Sequence, residues 1–195
     1  MADIPLSVKV TSLESFMYAM DVNGHGRRAS RLAVEMGRRL NGGSRLNEND
    51  LSMLGDAIRL HDCYKAVMDP AIIHKPGKLT PEEYEYVKTH TRKGYEMTRH
   101  HYPAQICLTI LYHHERWNGS GYPDGLAGLD IPLFARIAAI VDVWDSLVSD
   151  RSYRKKYSKD IAMGIMNEGY ERDWFDPKLY TIFLDIRRER DLTHG

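Results

Sequence analysis

Hydrophobic and polar positions recur at helical spacing from end to end of the chain, and the strict alternation of a half-buried strand is nearly absent. The pattern predicts a first helix over Leu13 to Met20, stopped by the turn signal Asn23-Gly24, and a second over His25 to Leu40, stopped by Asn41-Gly42-Gly43. Asn47 or Asn49 can cap a third, running to about Tyr64, with Leu51, Leu54, Ile58 and Cys63 roughly on one face. After the turn Lys75-Pro76-Gly77-Lys78, the run Thr80-Pro81-Glu82-Glu83 opens a helix. Thr80 is its cap, Pro81 its first residue and Glu83 the capping-box partner, and it is expected to reach about His100. Further helices are predicted from Ala104 to about Glu115, from Pro132 to Val148, after a Ser158 cap, and from Pro177. Trp117 to Gly125 cannot be helical, and a loop as long as 117–131 inside a compact domain is usually functional. No repeat, low-complexity stretch or domain boundary interrupts the pattern, so one all-α domain over residues 1–195 is expected.

Composition agrees with a packed domain: 43% of the 195 residues are apolar, enough for a substantial core. The 27 basic and 27 acidic residues balance to zero, which argues against a general binder of duplex nucleic acid or of membrane surfaces, though not against a local basic pocket. No run approaches the roughly 18 apolar residues of a bilayer span, and Met1 to Met20 lacks the layout of a signal peptide. The expected compartment is therefore the cytoplasm. Cys63 and Cys107, the only cysteines, fall in apolar helical context and read as reduced core thiols.

The candidate chemistry lies in imidazoles and carboxylates. His61-Asp62 closes the third helix, His113-His114 closes the helix before the loop, and Asp142 stands among Ile140, Val141, Val143 and Trp144. Such donors together suit Fe, Mn, Zn or Ni. Adjacent helical histidines point about 100° apart and can serve two different metals, and an aspartate can bridge two cations through its two oxygens. Asp142 in an apolar stretch needs a partner or a metal. A helical histidine alone is more often satisfied or exposed, and His74, His100, His101 and His194 keep that reading. No local zinc-type spacing is present.

The ordered set of motifs resembles an HD-GYP domain, a branch of the HD metal-dependent phosphohydrolases. It comprises His61-Asp62 with Lys65, the run Asp69 to Thr91, His113-His114-Glu115 through Gly121-Tyr122-Pro123, Asp142-Val143-Trp144-Asp145, and Ser149 to Lys155. The match covers about residues 14–186. The resemblance implies a helical bundle core with extra C-terminal helices and hydrolysis of cyclic di-GMP, a bacterial signalling dinucleotide, to linear pGpG, to GMP or to both. It implies two or three divalent metals, iron or manganese foremost, with nickel or zinc as alternatives. The implied ligands are His61, Asp62, His90, His113, His114 and Asp142. His25 and Asp21 would join for a third metal. Lys65, Tyr122, Arg151 and Arg154 match positions that contact the dinucleotide, and a homodimer or an upstream sensor domain or protein is a partner the resemblance allows.

In the mechanism this implies, Asp62 bridges the metals. His61 and Asp142 complete one shell, His90, His113 and His114 the other, and water activated between two cations attacks the phosphodiester. Lys65 meets the scissile phosphate, or else is a helix-end cation. Arg151 and Arg154 clamp phosphates, or belong to a solvated basic run. Tyr122 contacts the dinucleotide or anchors the loop, and Trp117 reads as a loop-core residue rather than a base platform. Two positions depart from the family: Tyr64 replaces a small residue beside the metals, and Asp21 stands where three-metal members carry Glu. Tyr64 either crowds the site or points away. The rival readings are a phosphodiesterase for another cyclic dinucleotide, and a weakly catalytic or inactive module that binds cyclic di-GMP or a partner protein.

Overall fold

Gly24 adopts a left-handed backbone (φ 65°) and launches α1, His25–Arg38. The structure, a computed structural model, describes residues 24–150 and 155–193. The expected first helix, Leu13 to Met20, lies outside them, as do Asp21, Arg151, Arg154 and His194. Gly26, Ala29, Ser30, Leu32, Ala33, Met36 and Gly37 form the buried stripe of α1. It packs on α2, Glu48–Leu60, which Asn47 opens with a full capping box to Asp50. The two helices approach closely where Ser30 Oγ donates to Gly55 O at 3.0 Å, and a Cβ on Gly37 would come within 2.8 Å of Leu51.

A 3₁₀ turn, Cys63–Val67, and a short helix, α3, Pro70–Ile73, lead to α4, Pro81–Lys88, with the Thr80/Glu83 capping box the sequence predicts. Then come α5, His90–Thr98, and α6, Ala104–Tyr112. A largely buried helix, α7, Leu133–Val148, runs through the core. Two more, α8, Lys159–Glu171, capped by Ser158, and α9, Pro177–Thr193, close the bundle. The packing runs α1 on α2 and α7, α2 on α6, α6 on α5 and α7, with α8 and α9 against α7. Among the described residues there is no strand, only an isolated bridge between Asn118 and Ala127, and no helix is long and apolar enough to cross a membrane. The all-α expectation holds. Cys63 and Cys107 are free and buried.

Three helices end earlier than their periodicity predicts, for one physical reason. The third stops at Leu60 rather than Tyr64, the Thr80-capped helix breaks at Thr89 rather than reaching His100, and the next stops at Tyr112 rather than Glu115. At each place a histidine turns back on a carbonyl three residues earlier: His61 Nδ1 to Ile58 O at 2.6 Å, His90 Nδ1 to Val87 O at 2.7 Å, and His113 Nδ1 to Ile110 O at 2.9 Å. At the middle break Thr89 and Thr91 also bond the carbonyls of Tyr86 and Lys88, so three successive side chains take up the helix's acceptors. Ring N–H groups thus satisfy carbonyls that a helix end leaves orphaned.

Candidate metal centre

Those three backbone bonds fix the chemistry of the other ring nitrogen. An imidazole that donates through Nδ1 presents a bare lone pair at Nε2 unless it is protonated twice. His61, His90 and His113 are buried, and their Nε2 atoms converge on Asp62. Asp62 Oδ1 faces His90 Nε2 at 3.2 Å and His113 Nε2 at 3.5 Å, while Oδ2 faces His61 Nε2 at 3.5 Å and Lys65 Nζ at 2.8 Å. His90 and His113 bring their Nε2 atoms within 3.2 Å of each other. Asp142 Oδ1, from α7, lies 3.2 Å from His25 Nε2 and 3.7 Å from His61 Nε2.

Two donor groups result, sharing Asp62: one with His90, His113 and His114, the other with His25 and His61, within each of which the donor atoms lie inside 4.8 Å. Asp142 borders the second. His113 and His114 fall in the same group with ring centroids 4.1 Å apart, where adjacent positions on a continuous helix would point about 100° apart. The reason is that α6 ends at Tyr112, so the 100° helical offset no longer governs His114. His25, expected only for a third metal, here stands beside His61 and Asp142. His74, His100 and His101 are exposed and away from the cluster.

The electrostatics suit cations. Burial pushes the His113 imidazole down to about 4, and burial likewise holds His114 well below the usual range, so both stay neutral near pH 7. Burial alone would raise the carboxyls of Asp62 and Asp142. Lys65, His61 and the imidazoles of His113 and His90 outweigh it for Asp62, and His25 and His61 do so for Asp142, leaving both well below the ordinary range. The neutral imidazoles of His113 and His114 therefore share one centre with two carboxylates, and His61 Nε2 and Asp62 Oδ1 are buried without a hydrogen-bond partner. Metal ions would satisfy all of them at once, and the donor set can hold such ions. Cys63, next in sequence, stands in neither donor group, and burial pushes its thiol up to about 12.

A pH dependence follows. An imidazole whose folded pKa is about 4 and whose ordinary value is 6.5 binds its proton more readily in the unfolded chain. Stability is then complete above pH 6.5 and is lost as pH falls toward 4. The metal-free protein should show a melting temperature that drops steadily across that window in calorimetry, and a flat profile there would contradict the buried neutral state of His113.

The loop after His114 covers one side of the centre. Buried Glu115 accepts the backbone N–H groups of Asp124 at 2.8 Å and Gly125 at 3.0 Å, and Trp117 and Asn118 bond the backbone at Trp174 and Asp173. Trp117 thereby anchors the inner end of the loop. Gly121 lies so close to the chain that a Cβ there would sit 2.4 Å from Glu115 Cα and from Arg116 N. That approach lays the Tyr122 ring on His114, 4.8 Å between centroids and 28° apart. Gly121→Ala should force the loop outward, costing about 1–3 kcal/mol and unstacking Tyr122. Thermal unfolding and Tyr122 fluorescence would read both effects, and an unshifted variant would disprove the close approach.

Several residues near the centre carried no sequence signal of their role. Asp145 takes His25 Nδ1 at 2.7 Å and the Arg28 guanidinium at 2.8 Å, and so orients His25. Its spacing of three from Asp142 on one helix was the available hint. Arg116 stacks 4.3 Å over Trp174, its charge interacting with Asp142 and Tyr122. Tyr84 and Tyr122 flank Lys88, with ring centroids 5.5 and 5.3 Å from Nζ. Tyr64 lies against α5, with Lys93 Nζ 5.6 Å from its ring and its Cβ near Gly94.

The family profile described as HD domain matches residues 16–179. The chain is 40% identical over 153 residues to the cyclic di-GMP phosphodiesterase response regulator RpfG of Xanthomonas campestris pv. campestris, covering 77% of this chain and 40% of that protein. It is 37% identical over 144 residues to the 3'3'-cGAMP-specific phosphodiesterase 2 of Vibrio cholerae, covering 72% and 27%. The chain spans less than half the length of these curated relatives. Among solved structures, Bd1817, an HDG"Y"P protein from Bdellovibrio bacteriovorus, superposes with a TM-score of 0.68 at 18% identity over 94% of this chain and 60% of that one. The HD domain of the L. monocytogenes phosphodiesterase PgpH, in complex with cyclic-di-AMP, gives 0.63 at 17% over 94% and 98%. At these identities the structures speak for the fold.

Proposed function

The chain belongs to the HD domain family, and from that membership and its His–Asp centre we propose a metal-dependent phosphodiesterase that opens cyclic di-GMP. The observation that carries the reading is Asp62, whose two oxygens face different imidazoles, His90 and His113 on one side and His61 on the other. A carboxylate so placed suits two cations side by side. In this reading His90, His113 and His114 would hold one ion and His61 and Asp142 the other, with Asp62 offering a donor oxygen to each. His25 completes the second seat or, with Asp21, a third. Imidazole and carboxylate donors without thiolate suit iron, manganese, zinc or nickel, and the family resemblance puts iron or manganese first.

Ions held there would activate water and neutralise phosphate charge. The protein's own residues do the rest. Lys65, half-buried with Nζ 2.8 Å from Asp62, extends a cation to the edge of the centre where a non-bridging phosphate oxygen would sit. The neutral Tyr122 hydroxyl, its pKa pushed up by burial, can donate to phosphate, and its ring holds His114 in place. Arg116 adds a positive charge on the side of Asp142. Arg151 and Arg154 would clamp the second phosphate.

Product chromatography after loading the protein with Fe(II) or Mn(II) tests the reading, with elemental analysis expected to find at least two ions per chain. Turnover of cyclic di-GMP to pGpG or GMP is the expected result. Because 3'3'-cGAMP-specific enzymes are also among the relatives, that dinucleotide belongs in the same assay, and preference for it would reassign the substrate. No turnover of either by metal-loaded protein would overturn the enzyme reading in favour of a binding module.

A further inference from the structure

A concavity lies between α1, α7, α9 and the start of α8, with the Arg28–Asp145 pair in its wall. Its volume is about 620 Å³, and its described walls carry Arg28, Arg31, Lys156, Lys159, Arg187 and Arg190 against a single acid, Asp145. None of the described wall residues is an expected metal ligand. In a chain of zero net charge, six cations around one hollow are a concentration that composition does not reveal. Partial compensation exists: Asp145 takes Arg28, Glu35 takes Arg190, and Asp191 takes Lys159 at 3.2 Å. Arg31 and Lys156 are exposed and form no ion pair among the described residues.

Arg187 is the informative member. It is 8% exposed, its guanidinium lies 4.6 Å from the Trp144 ring centroid, and its Nε is buried without a hydrogen-bond partner. Its nearest carboxylate, on Asp191, is 3.8 Å away, beyond a hydrogen bond. A desolvated cation with an unmet donor is costly unless an anion reaches it. Guanidinium forks fit phosphate oxygens. The volume falls within the range of small-ligand sites, roughly 300–1,000 Å³, and Tyr157, 37% exposed, offers a ring on the wall where a base can stack.

We propose that this basic pocket is a binding site for a nucleotide-sized phosphate ester, separate from the metal centre. Arg187 and Arg190 approach the phosphate from α9, Arg31 from α1 and Lys156 from the chain before α8. The site does not depend on the phosphodiesterase reading.

GMP is the probe, titrated by calorimetry at low and at moderate salt. In the Asp62→Ala variant, which disables the metal centre, GMP should still bind and should weaken as salt rises. Adding Arg31→Glu and Lys156→Glu, both exposed positions, should lower that affinity on the order of tenfold or more. With Asp62 intact, the Arg31→Glu/Lys156→Glu protein should keep its turnover within about twofold. Absence of GMP binding in Asp62→Ala, or an affinity unmoved by the charge reversals, would overturn the site. Collapse of turnover in the charge-reversed enzyme would overturn its separateness and make the pocket part of the substrate cleft.

Discussion

Asp62→Ala is expected to remove metal retention and turnover together. Oδ1 faces His90 and His113 at 3.2 and 3.5 Å, and Oδ2 faces His61 at 3.5 Å, so one truncation takes a donor from both seats. Losing several kcal/mol of metal-derived stabilisation would slow hydrolysis at least about 10³-fold. Elemental analysis and product chromatography read the two losses. The fold should survive, because the substitution also deletes a buried carboxylate oxygen that has no hydrogen-bond partner. The melting temperature of the metal-free variant should nonetheless fall modestly at neutral pH, because the contacts that hold the Asp62 carboxyl well below its ordinary range are stability that the substitution removes. A variant that keeps its metal and its activity would refute the bridging role, whereas one that fails to fold would show Asp62 to be structural.

Lys65→Ala should separate metal from chemistry. Its ammonium lies 2.8 Å from Asp62 Oδ2 and is about a quarter exposed, so it both steadies the carboxylate charge and reaches the edge of the centre. Bound metal would take over the first task, leaving the second uncovered. Turnover should fall on the order of 10²-fold, mainly in kcat with KM little changed, as for a contact made chiefly in the transition state. Metal content should match the wild type. Lys65→Arg should recover part of the rate, since it restores a cation at that place. Metal loss equal to that of Asp62→Ala would mean that Lys65 acts only through the carboxylate.

The Thr80-Pro81-Glu82-Glu83 capping box was legible because every bond in it is local, and the structure repeats it with Glu83 N to Thr80 Oγ1 at 3.2 Å and Thr80 N to Glu83 Oε2 at 2.7 Å. The Ser158 cap was legible for the same reason, while of the two candidates Asn47 and Asn49 the structure takes Asn47. The ends of α2, α4 and α6 were not. Their apolar periodicity continues past Leu60, Lys88 and Tyr112, and what stops them is a histidine that turns its Nδ1 onto a carbonyl so that Nε2 can face the centre. That choice is worth making only once the other donors are present.

Residue types and their order along the chain were enough to establish an all-α domain, its strongest caps, the non-helical loop and the set of imidazoles and carboxylates worth watching. Which donors share a seat was decided by tertiary structure. His25 joins His61 and Asp142 because α1 packs on α7, and Tyr122 reaches His114 because Gly121 lets two stretches of backbone touch. The basic pocket belongs to the same class, since its cations come from separate helices. Caps and periodicity are short-range and repeat with the helix, so they can be read from neighbours in sequence. Distances between side chains on different helices depend on how those helices cross, and no local pattern encodes that crossing.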